Sequence, residues 1–498
     1  MILRWSRIIV AFLSIVLFFV LFAGFWRLAP LLGLQFLPAL LKLAAGVTFG
    51  ALAWGLFGII LALVTGRAYC SIFCPLGIFQ DIVMFIFRRR RFKYMHNFWR
   101  LRYLVVLGIV LSASAGFMLP LGVLDPYSFA GRIANNFIKP ALGYLGTLIY
   151  KLSGGRFLEP VKSAPFSVMS IIITAVCVIL LIVATLRYGR FFCNTLCPAG
   201  AVLGLLSRFS LFKIVLNHEQ CTKCGACARA CKAGCIDTVL GEIDFERCVL
   251  CMNCGAACKF DAIDYKRTGR TAWETPVTDD SRRRFLTGIG IVGAGALIVP
   301  PLIRKSGAKS PPPVMPPGAK NIDKFTSRCT ACQLCVSACP AKVIKPAAWE
   351  YGVGGIMMPR LDFDSGMCEY DCTVCSTVCP TGALSRLPLK EKRLVKIGIV
   401  KYYFNRCVIT IDKTDCGACA EHCPTGAIQM VDWKDGLRIP AVREELCIGC
   451  GSCEFICPAK PQKAVIVSGL KEQGRALDPH KVLKKDRKTV SGNKDFPF

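Results

Sequence analysis

The stretch CTKCGACARAC at 221–231 sets Cys221, Cys224, Cys227 and Cys231 in a two-two-three spacing. CVLCMNCGAAC at 248–258 repeats it with Cys248, Cys251, Cys254 and Cys258. A disulfide framework does not require such a repeat, and zinc sites usually pair one C-x-x-C with a distant second pair. The spacing is that of bacterial ferredoxins: three close thiolates wrap three irons of a [4Fe–4S] cube, and the fourth Cys ligates the neighbouring cube. Cys221, Cys224, Cys227 and Cys258 are therefore expected to hold one cluster, and Cys248, Cys251, Cys254 and Cys231 the other. Lys232 and Lys259 stand where a Pro usually follows the fourth Cys. A cation there would favour the reduced, more negative cluster. Cys235 reads as a spare buried thiol, with an alternative-ligand role as the second reading.

Four further sets lie downstream: Cys329, Cys332, Cys335, Cys339; Cys368, Cys372, Cys375, Cys379; Cys407, Cys416, Cys419, Cys423; and Cys447, Cys450, Cys453, Cys457. Each ends in Cys-Pro, and the second and third carry lengthened gaps before their second Cys. They imply four more clusters, about six in all. Short helices and paired strands should surround them, giving two small α+β ferredoxin-like modules organised largely by metal.

The rest of the chain is strongly apolar. Of 498 residues, 54% are hydrophobic, and mean hydropathy is +0.49. Runs at 8–27, 45–65, 102–122 and 166–186 are each long enough to cross a hydrocarbon core of about 30 Å. The expected fold is a membrane all-α helical bundle of four spans carrying the two modules. The formal charge of +30, from 62 Lys+Arg against 32 Asp+Glu, comes without a nucleic-acid motif, so no nucleic-acid partner is expected. Part of the excess flanks the spans: Arg67, Arg88, Arg89, Arg90, Arg91, Lys93 and Arg100 follow the second, and Arg187 and Arg190 follow the fourth. These ends, with the N-terminus, belong on the cytoplasmic side. The segment 123–165 then faces outward, although it carries Arg132, Lys139, Lys151, Arg156 and Lys162.

Ser281-Arg282-Arg283-Arg284-Phe285-Leu286 has the S-R-R-x-F-L form of a twin-arginine signal. Arg282 and Arg283 would direct a folded, cluster-loaded domain to the Tat translocase. An ordinary fifth span with basic flanks is the alternative, and either places the following module outside. Ser306-Gly307-Ala308 offers a small-x-small cleavage site. SPPPVMPPG at 310–318 reads as a semi-rigid spacer. The expected organisation is a membrane domain over 1–210, a cytoplasmic two-cluster module over 213–266 and a signal or anchor over 281–303. A linker over 304–320, a periplasmic four-cluster module over 322–468 and a mobile tail over 469–498 complete it.

The membrane domain has its own Cys motif. Cys70 and Cys74, then Cys193 and Cys197, form C-x3-C-P pairs, each preceded by Gly-Arg. Positions four apart share a helix face, so each pair presents two thiols together. A shared four-thiolate metal site, redox-active dithiols and structural thiols at Pro-kinked helix ends all fit. Cys177 reads as core. The chain has four His, none in a predicted span and none in C-x-x-C-H, so haem is not expected.

At this point the chain resembles two accessory ferredoxins joined end to end. Residues 1–270 resemble the NapH-type family, and residues 281–468 resemble the NapG/MauM-type family. The resemblance implies a multi-pass protein of the bacterial inner membrane. It implies electron delivery from the quinol pool, with quinol as the oxidised substrate, toward a periplasmic reductase or cytochrome acceptor such as a nitrate-reductase-type enzyme. It also implies that the first of the four motifs pairs with the fourth and the second with the third. Cys329, Cys332 and Cys335 would then join Cys457; Cys447, Cys450 and Cys453 would join Cys339; Cys368, Cys372 and Cys375 would join Cys423; and Cys407, Cys416 and Cys419 would join Cys379. No acid–base pair or phosphate loop is present, so no catalytic residue is assigned. A maturation factor for a periplasmic redox enzyme and a structural membrane anchor are the rival readings.

Overall fold

Ile2–Ala23 contains no acidic residue and forms a 22-residue helix, α1. Among the described residues it is one of two helices long and apolar enough to cross a membrane; the other is α10, Val168–Tyr188. The computed structural model describes residues 2–23, 35–46, 49–87, 98–153, 167–238, 241–267 and 311–479, with a few isolated positions besides. The twin-arginine segment at 281–303, the cleavage site at 306–308, the basic residues at 88–91 and 93, and residues from 483 onward lie outside the described residues.

Both long helices leave apolar faces bare. Phe12, Leu13 and Val16 of α1 and Ile172, Val176, Ile179 and Leu180 of α10 are exposed, which suits lipid contact rather than a soluble core. The second and third expected spans form shorter helices, α3 (Phe49–Thr65, 17 residues) and α6 (Trp99–Ser114, 16 residues). A short helix, α2 (Phe36–Ala45), packs on α3. α3 and α10 end alike. Gly66 (φ 76) and Gly189 (φ 66) take the left-handed backbone that only glycine adopts without strain, and each is followed by a fully buried arginine, Arg67 or Arg190. The C-x3-C-P segments come next, as α4 (Tyr69–Ile72) leading into α5 (Pro75–Ile86), and as a π-helical turn over Phe192–Leu196 leading into α11 (Pro198–Ser207). Pro75 and Pro198 start their helices where a missing N–H costs nothing.

The expected outward segment is mostly helical: α7 (Leu119–Leu124), α8 (Pro126–Ile133) and α9 (Lys139–Leu152). Asp125 caps α8, its carboxylate accepting from Tyr127 N at 3.2 Å and Ser128 N at 2.9 Å.

In the first ferredoxin module, β1 (Phe212–Leu216) pairs antiparallel with β4 (Ile263–Arg267), and β2 (Ile236–Asp237) with β3 (Glu242–Ile243). Helices α12 (Ala226–Ala230) and α13 (Asn253–Ala257) pack on each other. The second module carries three antiparallel pairs. They are β5 (Ile344–Pro346) with β6 (Pro359–Leu361), β7 (Val395–Tyr402) with β10 (Val465–Arg475), and β8 (Ile428–Asp432) with β9 (Arg438–Val442).

Two expected boundaries move. β10 runs on to Arg475, paired with Val395, so the segment expected to begin a free tail at 469 belongs to the sheet. The proline-rich stretch is not a spacer over its described residues 311–318. Met315 is fully buried and Val314 nearly so. Its carbonyls accept from Leu361 N at 2.8 Å and Gly469 N at 3.1 Å, and Gln473 Nε2 donates to Pro316 O at 2.9 Å. Proline leaves the carbonyl acceptors free, and the apolar Val-Met pair supplies what the module buries.

α1 meets α4 and α5 near its start and the second module near its end. Near its start, Arg7 donates to Ser71 O at 3.3 Å and pairs with Asp81 at 3.4 Å. Near its end, Phe18 and Phe22 share a core with Met315, Phe325 and Leu334 of the second module, and the Ser337 hydroxyl donates to Phe22 O.

Candidate metal centres

Helices α12 and α13 end at Cys231 and Cys258, which cap them in extended backbone. Each of these cysteines lines a void with the other motif's first three. One void has Cys221, Cys224, Cys227 and Cys258 on its wall. The other has Cys248, Cys251, Cys254 and Cys231, with Cys235 beside them. This is the grouping the spacing implies.

The second module groups its thiols differently from the expectation. Cys368, Cys372 and Cys375 share a void with Cys339, and Cys447, Cys450 and Cys453 share one with Cys423. Cys379 lies in the field of Cys329, Cys332 and Cys335, and Cys457 in that of Cys407, Cys416 and Cys419. The first motif is thus interleaved with the second and the third with the fourth, not first with fourth and second with third. The cause is helix packing. Leu334–Ala338 lies on Val374–Val378, and Ala418–Glu421 lies on Ser452–Ile456. Each contact brings a motif's last cysteine to its neighbour's first three.

These sets suit anionic clusters. Four motif cysteines line each of the four voids, the donor set that a [4Fe–4S] cluster takes. In five motifs the amide two residues on donates to the second cysteine: Ala226 to Cys224, Asn253 to Cys251, Leu334 to Cys332, Val374 to Cys372 and Ser452 to Cys450. Left-handed backbone at Lys223, Gly225, Met252, Gln333 and Gly451 turns these loops inward. Amides aimed at sulfur stabilise thiolate and raise a cluster's potential.

Burial pushes the Cys251 thiol up to about 11 and those of Cys332 and Cys450 up to about 12, against their amide hydrogen bonds. Without metal these groups keep their protons at neutral pH, and ligation releases them. Cys231 and Cys235 sit 3.4 Å apart. The Cys235 thiol hydrogen-bonds Cys231 and holds it well below the usual thiol range, while Cys235 itself is driven upward by the same contact.

The four cysteines of the C-x3-C-P pairs converge. Cys70, Cys74, Cys193 and Cys197 are all buried in one core with Tyr69, Phe192 and Phe129. The two copies brace each other reciprocally. Arg67 Nη2 donates to Cys193 O at 2.8 Å, and Arg190 Nη1 donates to Cys70 O at 2.8 Å. A Cβ on Gly77 would lie 2.1 Å from Cys70 O and 2.8 Å from Arg190, and one on Gly200 would lie 2.2 Å from Cys193 O and 2.8 Å from Arg67. Polar groups point at the sulfurs: Gln80 Nε2 to Cys193 at 3.3 Å, Gly200 N to Cys197 at 3.3 Å and Arg67 Nη2 to Cys70 at 3.9 Å.

Two charge hubs fasten the first module to this centre, and sequence reading missed both. Asp81 on α5 pairs with Arg190 at 2.9 Å, Lys232 at 3.2 Å and Arg7 at 3.4 Å. Burial works against its carboxylate, yet Arg190, Lys232 and Arg7 together hold it below its ordinary range. Lys232 therefore serves docking: its charge is met by Asp81, and its carbonyl accepts from Arg190 N at 2.9 Å. Glu246 mirrors the arrangement from the module's side, pairing with Arg208 at 2.5 Å and Arg102 at 3.3 Å, while its carbonyl accepts from Arg67 at 2.6 Å. The available signal was the Gly-Arg dipeptide at the same offset before each Cys pair.

The second module docks through its first motif. Thr330 Oγ1 accepts from Ser128 at 2.8 Å, and the Gln333 side chain bonds Asn135 at 3.0 Å and Ser170 at 2.7 Å. A Cβ on Gly131 of α8 would lie 2.5 Å from Cys332 O. On its other side α8 turns Phe129 toward Phe192, 6.4 Å between ring centres. One helix thus separates the C-x3-C-P thiols from the Cys329 set.

A family described as a 4Fe-4S dicluster domain matches residues 328–383 and 414–460. One described as a 4Fe-4S binding domain matches 47–93, 171–217 and 373–398, so that it covers both C-x3-C-P segments. Ferredoxin-type protein NapG of Escherichia coli K12 is 30% identical over 196 residues, 36% of this chain and 81% of the relative. The methylamine utilization ferredoxin-type protein MauM of Methylobacillus flagellatus is 30% identical over 180 residues, 34% of this chain and 74% of the relative. A putative electron transport protein, YccM of Escherichia coli K12, is 43% identical over 58 residues, 12% of this chain and 16% of the relative. No solved structure matches the chain. With four-fifths of NapG and three-quarters of MauM covered at this identity, the chain belongs to the NapG/MauM family of ferredoxin-type proteins.

Proposed function

We propose that this protein takes electrons from the membrane quinol pool and delivers them to a periplasmic acceptor, a reductase or cytochrome. The observation that carries the reading is that two thiol-rich modules pack on the helical part of the chain at different places, the first through Lys232 and Glu246 and the second on Phe18, Phe22 and Asn135, with Cys70, Cys74, Cys193 and Cys197 in the core beside the first.

In this reading α1, α3, α6 and α10 form a NapH-type bundle of four spans, with α3 and α6 at the short end of the spanning range. The basic helix ends and the Cys221–Cys258 module face the cytoplasm. The Cys329–Cys457 module faces the periplasm, exported behind Arg282 and Arg283. When bound, [4Fe–4S] clusters supply one-electron exchange at potentials tuned by hydrogen bonds to sulfur. The chain's own residues do the rest. The cysteines ligate, the amides of the αL turns set charge tolerance, and Asp81, Glu246 and Gln333 fix the modules in register.

Anaerobic stopped-flow mixing with menaquinol tests the function: bleaching of the cluster absorbance within turnover time is expected. A maturation factor or a structural anchor would show no turnover-competent reduction. Reporter fusions after residues 270 and 470 test the topology. Both reporters on one side of the membrane would defeat the transmembrane arrangement.

A further inference from the structure

We propose that Tyr127 of α8 hydrogen-bonds a sulfur of the cluster held by Cys329, Cys332, Cys335 and Cys379, so that the helical part of the chain tunes the potential of a centre in the module docked on it. The first observation is a buried hydroxyl without a partner. Tyr127 is 1% exposed, and its hydroxyl meets no hydrogen-bonding atom among the described residues. The ring is firmly seated: Phe18 meets it edge-on with ring centres 5.8 Å apart, and both share one core with Cys329, Cys332 and Cys335. Asp125, the nearest carboxylate in sequence, is already engaged. It accepts from Tyr127 N at 3.2 Å, Ser128 N at 2.9 Å and Ser128 Oγ at 2.6 Å. A phenylalanine would fill the same apolar space, and native interiors rarely keep a hydroxyl unpaired.

The second observation is what surrounds that hydroxyl. Cys332, Cys379 and Cys335, three of the four thiols of one set, act on it electrostatically. α7 and α8 close over the same loop. A Cβ on Gly122 would lie 2.8 Å from Thr330 O, and one on Gly131 would lie 2.5 Å from Cys332 O, while Ser128 Oγ donates to Thr330 Oγ1 at 2.8 Å. The thiol loop and the phenol are thus held against each other. A neutral buried thiol is a weak acceptor; ligation leaves anionic sulfur, which takes a charge-assisted hydrogen bond. Tyr351 supplies the contrast. It is buried in the same core beside Cys329 and Cys335, but its hydroxyl donates to Pro359 O at 3.0 Å.

Hydrogen bonds to sulfur favour the reduced, more negative cluster and raise its potential. The amides of Ala331 and Leu334 supply such bonds to Cys329 and Cys332 from the module's own loop. Tyr127 belongs to α8, so its contribution exists only while the module is docked. The inference needs a cluster in this set; it does not need the quinol route proposed above.

The test is a redox titration followed by electron paramagnetic resonance on the full chain, purified anaerobically with its clusters. Cys332→Ala identifies the signal of this set by abolishing it. Tyr127→Phe should keep that signal and lower its midpoint potential, by about tenfold in the one-electron equilibrium or about 59 mV, while the other signals hold. Tyr351→Phe should leave it in place. An unchanged potential in Tyr127→Phe, or an equal shift in Tyr351→Phe, would overturn the proposal. If Tyr127→Phe does not accumulate, replacing Tyr127 by a ring-fluorinated tyrosine decides. The more acidic phenol is a stronger donor and should raise the potential, and a potential that stays or falls refutes the hydrogen bond. A shifted potential in a chain that menaquinol does not reduce would sink the proposed function and leave the role of Tyr127 standing.

Discussion

Replacing Asp81 by asparagine keeps the shape of the side chain and removes the one anion that Arg7, Arg190 and Lys232 share. Arg190 is fully buried and the Asp81 side chain is only 15% exposed, so the charges are poorly screened. At these separations each contact is worth about 5 kcal/mol gross at an effective dielectric near 20. Desolvation takes back much of that, and breaking a buried ion pair costs roughly 3–5 kcal/mol net because the surviving charges are left uncompensated. Here three cations would be left, one of them on the ferredoxin module. A loss of about 3 kcal/mol lowers the docked-to-undocked ratio by more than a hundredfold. Hydrogen exchange should therefore accelerate by about that factor across 212–267, while α10 keeps its protection. Asp371→Asn, at an ion pair open to solvent with Arg393, should leave exchange unchanged. If Asp81→Asn leaves 212–267 as protected as in the wild type, the hub does not hold the module and the reasoning fails.

Other outcomes follow from the same geometry. Cys419→Ser combined with Cys457→Ser should remove one cluster's iron, because both thiols belong to one set, whereas a first-with-fourth pairing would make the double variant lose two. Gly200→Ala would put a methyl 2.2 Å from Cys193 O, forcing backbone apart at a typical overpacking cost of about 1–3 kcal/mol, which a lowered Tm and disturbed metal content would report. Gln333→Ala strips the bonds to Asn135 and Ser170 and should expose the Cys329 set to chelators several-fold faster without altering the Cys447 set. Asp362 is opposed by burial but held below its ordinary pKa by Lys345 and Arg360. Its stabilisation is complete above the unfolded carboxylate range and lost as pH falls through the lower folded value, so Asp362→Asn should flatten the acid limb of the unfolding profile below about pH 4.

What was legible in the sequence was chemistry carried by spacing. Cys221 to Cys258 announce their grouping because two undistorted motifs allow one interleaving. The four later motifs offer several, and which forms is settled by packing between helices of four or five residues whose own sequences carry little signal. The length of apolar runs found the long helices α1 and α10 but not α8, whose eight residues owe their helix to Asp125 and Pro126. The proline run read as a spacer because prolines dominate it, although Val314 and Met315 were the informative pair. Arg67 and Arg190 read as flanking charge. Their burial follows from tertiary contact with the opposite copy's carbonyl, which no local pattern encodes.

The hubs also explain how a nearly two-fold centre accepts a single module in one orientation. The repeat presents equivalent faces: Gly66-Arg67 with Cys70 and Cys74, and Gly189-Arg190 with Cys193 and Cys197, each arginine bracing the other copy. A ferredoxin-like unit facing such a centre would have two dockings of similar shape. The charges separate them. The module offers a cation, Lys232, to Asp81 on the first copy, and an anion, Glu246, to Arg102 and Arg208 beside the second. Turned by half a revolution, Lys232 would meet Arg102 and Arg208 while Glu246 faced Asp81, so attraction at both contacts becomes repulsion at both. Like charges brought together at a buried contact cost several kcal/mol, enough to exclude the wrong docking by orders of magnitude. Specificity here comes as much from what the reversed pose would repel as from what the native pose attracts, and it selects which ferredoxin thiols approach the C-x3-C-P cysteines: the Cys231 set, not the Cys221 set.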